Sequence, residues 1–228
     1  MMLVHQRAHV LAKIVAQLPK IAKVHLQIVL SKPSSDVLFE VDRLYHMNHP
    51  KRLQIEILEA PFNPLEQYER FMELRRWQAE RLPRDCKYAC IWDDDHILED
   101  AREFKDALGF GFDLCYAEKL FFWNSTKTYT THIPRHNSVF AYRCLPGDTF
   151  PLDRTIHAPV KIHDTAEKIV QLKGRLLDYG YLRALDRDRC WRDYKKVGKI
   201  DAATTAIIQQ PKLVLWTGPD LYMKLPIC

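Results

Sequence analysis

The sequence predicts an α/β protein built on a mixed, mainly parallel sheet flanked by helices. Two observations carry that prediction. Strand-like and helix-like segments alternate through the first part of the chain. Repeated alternation of this kind implies right-handed crossovers and parallel pairing. The fourth strand-like segment runs straight into Asp93-Asp94-Asp95, and the carboxyl ends of parallel strands are where open α/β sheets bind ligands.

The elements follow from local pattern. Met2 to Val4 reads as a very short first strand, and His5 to Leu18 as a helix with Val10, Leu11, Ile14, Val15 and Leu18 on one face. Lys23 to Leu30 alternates apolar and polar residues as a strand does. Pro33-Ser34-Ser35-Asp36 supplies turn and N-cap chemistry before a helix over Val37 to His46. Leu53 to Leu58 alternates again. Asn63-Pro64 opens a long polar helix over Leu65 to Arg81, which Pro83 closes, and Lys87 to Trp92 is the fourth strand.

Beyond Asp100 the order changes. Ala101 to Leu108 reads as a helix, and Phe112 to Phe122 and Val139 to Cys144 as strands. Pro151 to Asp164 reads as a loop, and Thr165 to Leu177, Leu182 to Lys196 and Asp201 to Gln209 as helices. Leu213 to Trp216 reads as a last strand. With 228 residues, 7 of them Gly, and no repeat, the chain is expected to form a single domain over 1–228 with halves at 1–100 and 101–228.

Bulk properties exclude some classes. Hydrophobic residues make up 47% and charged residues 28%, as in ordinary globular proteins. No apolar run approaches the roughly 20 residues of a membrane span. The opening residues lack the basic-then-apolar order of a secretory signal, so a cytoplasmic protein without a membrane span is expected. The net charge of +5 favours anionic ligands but is too mild to demand nucleic acid. The six cysteines show no CxxC spacing and read as reduced thiols.

Asp93-Asp94-Asp95 carries the chemistry. Carboxylates are hard oxygen ligands suited to Mg²⁺ or Mn²⁺ that also touches phosphates. Alternate aspartates at a strand end can share a metal, with the middle one turned to a sugar or ribose. A solvated acidic loop is the competing reading, and the strand-end position favours the metal.

The order of elements, with Leu-Val-His-Gln-Arg at the first strand and Tyr-Ala-Cys-Ile-Trp-Asp-Asp-Asp-His-Ile at the fourth, resembles GT-A glycosyltransferases, family 2-like. Lys119-Leu120-Phe121-Phe122-Trp123-Asn124 and Leu177-Asp178-Tyr179-Gly180-Tyr181-Leu182 are similar to elements of small members, several of them phage-encoded. The resemblance implies a GT-A (Rossmann-like) fold, with the first half binding a nucleotide sugar and the second an acceptor. It implies Asp93 and Asp95 as the DxD carboxylates that bind the metal, Asp95 its strongest ligand and Asp93 standing nearer the nucleotide beside Asp94. His5, Arg7, Ser31 and Lys32 would line the nucleotide loops. Asp178 stands where relatives often place a late metal-binding His, and His163 or His157 are alternatives for that role.

An inverting transferase needs a base for the acceptor hydroxyl. Asp148 is the first candidate and Glu118 the second; a retaining mechanism would need neither. Trp92, Trp123 and Tyr129 are candidates for stacking on a sugar or base, with core packing as the alternative. Arg183 to Lys199 mixes both charge signs and reads as a solvated helix or as a basic face for an anionic acceptor. The expected activity is metal-dependent transfer from a nucleotide sugar, UDP-sugar favoured, with Mn²⁺ or Mg²⁺. The hydroxyl acceptor is either a hydroxymethylated pyrimidine of phage DNA or a glycan or lipid-linked sugar. A metal-dependent nuclease or other phosphoryl-transfer enzyme is the alternative.

Overall fold

The computed structural model describes residues 2–4, 8–30, 33–61, 71–130, 137–144, 168–196 and 211–224. Among them, no helix is long and apolar enough to cross a membrane. The protein is a mixed α/β structure.

Strands β1 (Met2–Val4), β2 (Val24–Leu30) and β3 (Leu53–Glu59) pair in parallel. Two helices return the chain between them, α1 (Ala8–Ile21) and α2 (Ser35–His46). The predicted stripe on α1 is the core stripe, since Val10, Leu11 and Ile14 are fully buried and Val15 and Leu18 nearly so. Pro19 falls in the last turn of α1, two residues before the helix ends. Asp36 sits in the first turn of α2 and is hydrogen-bonded by the Ser34 hydroxyl. A third helix, α3 (Phe71–Ala79), covers the later part of the long helix read over 65–81; residues 65–70 lie outside the described residues.

The fourth strand departs from the expectation in an informative way. The run Lys87 to Trp92 divides into β4 (Tyr88–Cys90) and β5 (Trp92–Asp93). β5 pairs with β1 in parallel, completing a four-stranded sheet of order β3-β2-β1-β5. β4 instead pairs antiparallel with β9 (Asn137–Arg143), and the Ile91 N–H still donates to the Phe140 carbonyl at 2.9 Å. One short segment thus joins two sheets.

The second sheet system is built differently. β6 (His96–Leu98) precedes helix α4 (Ala101–Phe110), whose N-cap Asp100 accepts from the Arg102 and Glu103 N–H groups. Long strand β7 (Leu114–Trp123) then turns into β8 (Thr128–Thr130) and pairs antiparallel with β8 and β9. It pairs in parallel with β10 (Ile169–Gln171) and β11 (Leu176–Tyr181). β11 runs antiparallel to β6, and β12 (Leu213–Leu215) antiparallel to β8. The mainly parallel sheet of the prediction therefore holds only for the first half. A short connection such as that from β7 to β8 leaves no room for a crossover helix, so antiparallel pairing follows.

The helix read over Thr165 to Leu177 is incorrect; from Ile169 on, that stretch holds β10, a turn and the start of β11. The Glu103 carboxylate accepts from the Lys173 and Gly174 N–H groups at 2.8 and 2.7 Å, which fixes the turn between the strands. A Cβ at Gly174 would lie 3.0 Å from the Asp100 Cβ, so a larger residue there would have to push Asp100 aside. The charged helix is found as α5 (Ala184–Lys196), and α6 (Leu221–Lys224) follows β12. Segments 151–164 and 201–209 lie outside the described residues.

One hydrophobic cluster runs from α1 to Trp216. Trp216 packs on Phe122 and Tyr129, lies under the Arg175 guanidinium at 4.6 Å, and donates from Nε1 to the Pro219 carbonyl. A Cβ on Gly218 would sit 2.2 Å from the Trp216 ring. Gly218→Ala is therefore expected to cost about 1–3 kcal/mol by forcing this ring out of place. A urea midpoint that falls at unchanged slope would report it; an unmoved midpoint would mean the ring yields freely.

Candidate functional site

The three aspartates leave the carboxyl end of β5 at the point where the strand order reverses. From β1 the chain moves outward through β2 to β3 and then returns to the far side of β1 as β5. Such a switch point opens a crevice at the carboxyl ends of the two central strands. Asp93 is registered with Leu3 of β1.

A tight reversal follows. Trp92 Nε1 donates to the His96 carbonyl at 2.7 Å, closing the Asp94–Asp95 turn and sending the chain into β6. Gln17 of α1 holds the free edge of β6 by a reciprocal pair: its Nε2 donates to the Leu98 carbonyl, and its Oε1 accepts the Leu98 N–H. On the other edge, antiparallel pairing with β11 sets Asp178 directly opposite His96. The Tyr179 N–H donates to the Asp95 carbonyl at 2.9 Å. A carboxylate far along the chain is thereby brought to the aspartate run by sheet register alone.

His96 sits at the centre, with its side chain 3% exposed. Its Nδ1 lies 3.5 Å from Asp93 Oδ2, and its Nε2 lies 3.4 Å from both Asp95 Oδ1 and Asp178 Oδ2. Asp178 Oδ1 accepts the Gly180 N–H at 2.8 Å, which fixes that carboxylate. Burial and the nearby Lys119 charge oppose protonation of His96, but Asp95, Asp93 and the hydrogen bond to Asp178 outweigh them and raise its pKa above 6.5.

Asp93 faces two cations. Arg75 of α3 reaches Oδ1 at 2.8 Å, and Lys119 of β7 reaches Oδ2 at 3.4 Å. Burial works against ionisation of Asp93, yet Lys119, His96 and Arg75 together hold its carboxyl well below the usual carboxylate range. Arg75 is itself buried; burial pulls its pKa down, and Asp93 and Asp94 push it back up.

Asp93, Asp95 and His96 each offer a ligand atom, all within 4.8 Å of one another, and Asp178 adjoins them through His96. Carboxylate oxygens with one imidazole suit Mn²⁺ or Mg²⁺-type chemistry. The donor set fits a divalent ion, with Asp95 Oδ1 and Asp178 Oδ2 each 3.4 Å from His96 Nε2. A metal must displace the proton on His96 if the imidazole is to ligate it. Two effects of pH follow. Because the folded pKa of His96 is raised, its stabilising contribution is full below about 6.5 and is lost as pH rises through the folded value. Metal-free protein is thus expected to lose urea resistance as pH rises through the folded pKa of His96, while any Mn²⁺ affinity that uses the imidazole strengthens over the same window. Mn²⁺ binding measured by calorimetry that does not change with pH would remove His96 from the ligand set.

The structure places Asp93, Asp95 and Asp178 around His96, and buries Asp94 beside them. Glu118 is not brought to the cluster: it neighbours Lys119 on β7, and successive strand residues face opposite sides. Its charge is felt instead by Arg175. His5, Arg7, Ser31, Lys32, Asp148, His157 and His163 lie outside the described residues. Trp92 and Trp123 are buried core residues, while Tyr129 is half-buried. In α5, Arg183 pairs with Asp186 three residues on, in line with a mixed-charge helix.

Sequence reasoning missed His96, Arg75 and Lys119 as parts of the site. His96 adjoins the aspartates, and its place in the run was the available signal. Lys119 had a weaker signal, lying in a stretch already picked out by resemblance. Nothing local marks Arg75 in its polar helix. No protein-family model matches the chain, and no curated protein matches it significantly.

Proposed function

We propose that the protein is a metal-dependent glycosyltransferase of the GT-A type, moving a sugar from a nucleotide-sugar donor to a hydroxyl acceptor. The observation that carries this reading is the carboxylate cluster at the switch point between β1 and β5. A nucleotide in that crevice would meet strand ends on one side and the aspartates on the other. The parallel set β3-β2-β1-β5 suits a nucleotide-binding half, while β4, β9 and β7 pair antiparallel in a second sheet.

Asp95 and Asp178, with His96 between them, would hold Mn²⁺ or Mg²⁺, and Asp93 and Asp94 would face the donor. The ion would supply charge neutralisation for a diphosphate leaving group. Arg75 and Lys119 keep Asp93 ionised and fix its direction. A UDP-sugar is the favoured donor. A hydroxymethylated pyrimidine of phage DNA is one acceptor of the right chemistry and a glycan hydroxyl another, with Asp148 as the candidate base. Action in the cytoplasm belongs to this reading.

The test offers a panel of UDP- and GDP-sugars with Mn²⁺ and three acceptors: hydroxymethylated DNA, plain DNA and simple glycans. Nucleotide release and acceptor mass are read. Metal-dependent release with a gain in acceptor mass is the expected result. A folded sample that neither binds nor turns over any donor would overturn the proposal, and cleavage of DNA with Mg²⁺ alone would replace it with phosphoryl transfer.

A further inference from the structure

Aromatic residues at the carboxyl ends of β7 and β11 make a wall beside the carboxylate cluster. Register places it there. Asp178 of β11 is paired with Phe121 of β7, and Lys119 lies two residues before Phe121. Paired and alternate residues share a face of a sheet. Phe121 therefore stands on the face where Asp178 meets His96 and Lys119 meets Asp93. Beyond a bulge, Tyr181 is paired with Trp123. The Tyr181 ring stacks on the Trp123 ring at 5.0 Å and 14°, and Phe121 meets Tyr181 edge-to-face at 6.2 Å and 65°. Trp123 is 2% exposed, whereas Phe121 and Tyr181 are half-buried.

The wall is held in place from behind. Arg187 of α5 lies over the Trp123 ring at 5.7 Å, and its Nη1 donates to the Tyr181 and Leu182 carbonyls at 2.9 and 3.0 Å. The Asn124 N–H also donates to the Tyr181 carbonyl. Asn124 has a φ of 62°, a left-handed conformation that Asn adopts more readily than most residues. A ring fixed in this way loses little freedom when a ligand lies on it.

The shape of the wall selects a ligand. An extruded nucleobase is read by stacking between side chains on its two flat faces. Phe121 and Tyr181 stand at 65° to one another and offer a plane and an edge instead. A pyranose suits that corner: its C–H-rich face lies on one ring, and its hydroxyls stay at the rim, toward Lys119 and the aspartates.

We propose that Phe121 and Tyr181 form the subsite for the pyranose ring of a glycan acceptor. The acceptor role rests on the transferase reading; the binding of the ring does not. The subsite lies on the second half of the chain, on strands other than the β1 and β5 that flank the nucleotide crevice.

The experiment uses the full chain without nucleotide sugar. Methyl glycosides of glucose, galactose, mannose and N-acetylglucosamine are titrated, and saturation-transfer NMR reads which ligand protons approach the protein. At least one glycoside is expected to bind, with saturation concentrated on the C–H groups of one ring face. Tyr181→Leu and Phe121→Leu should each weaken binding about three- to tenfold, the loss of one aromatic contact. Tyr181→Phe keeps the ring and should bind within about twofold of the native chain. Failure of the native chain to bind any of the glycosides would overturn the proposal, whatever the variants do. So would unchanged affinity in Tyr181→Leu, or binding of hydroxymethyldeoxycytidine in place of the glycosides. Glycoside binding by a chain that turns over no nucleotide sugar would keep the ring-binding site and overturn its role as an acceptor subsite.

Discussion

For the transferase proposed above, Asp95→Asn is expected to lower metal-dependent sugar transfer by at least about a hundredfold, since even residues that only orient metal ligands cost ten- to a hundredfold when replaced. Asp95 is 6% exposed on its side chain and lies 3.4 Å from His96. The amide keeps the shape of the carboxylate but removes the charge that attracts a divalent ion, so the fold should persist while the Mn²⁺ requirement rises. Asp178→Asn should act in the same direction, because its Oδ2 faces the same imidazole and its Oδ1 is fixed by Gly180. Asp93→Asn is the discriminating control. Its carboxylate is already engaged by Arg75 and Lys119, so its loss should weaken donor binding more than the response to Mn²⁺. Initial rates measured against Mn²⁺ concentration separate the two. A native-like Mn²⁺ response in Asp95→Asn, with the response lost in Asp93→Asn, would move the metal to Asp93.

The second large effect is on stability. Asp93→Ala leaves the Arg75 guanidinium, 4% exposed on its side chain, without the carboxylate that meets it at 2.8 Å. Removing one partner of a buried pair costs about 3–5 kcal/mol. Asp93 is 37% exposed and Asp94 remains close to Arg75, so about 2–4 kcal/mol is expected here. Arg75→Met in the same chain removes the stranded charge and fills its space with an apolar chain. The double variant should recover most of the loss, because apolar replacement of both partners is often close to neutral. Urea midpoints of the native, single and double variants test this. A double variant no more stable than Asp93→Ala would show that the guanidinium is not the source of the cost.

The parts of the fold that were legible in the sequence share one property: their signal is local. The α1 stripe of Val10, Leu11, Ile14, Val15 and Leu18 is written in its own spacing, and so is the alternation in β2 and β3. Elements defined by distant partners were not legible. Nothing within Tyr88 to Asp93 marks where the chain leaves β9 for β1, because Ile91 is apolar like its neighbours. The stretch around Gly174 mimics helix periodicity, and carboxylates from elsewhere in the chain, Glu103 of α4 and Glu99, hold it as a turn between strands. The same division runs through the site. The aspartates are contiguous and conspicuous. Asp178 was reached through a family resemblance, and Arg75 and Lys119 acquire meaning only when α3 and β7 fold against β5.

The pairing of β6 with β11, and of β5 with β1, also bears on how the protein folds. Both ladders join segments far apart in the chain, and such contacts form slowly because a long loop must close first. Asp178 is therefore expected to meet the aspartate run late in folding, as Arg75 and Lys119 also do. Interactions absent from the transition state govern how fast a protein opens rather than how fast it forms. A divalent ion seated among these carboxylates would then act as a latch on kinetic persistence, slowing unfolding while leaving the refolding rate nearly untouched.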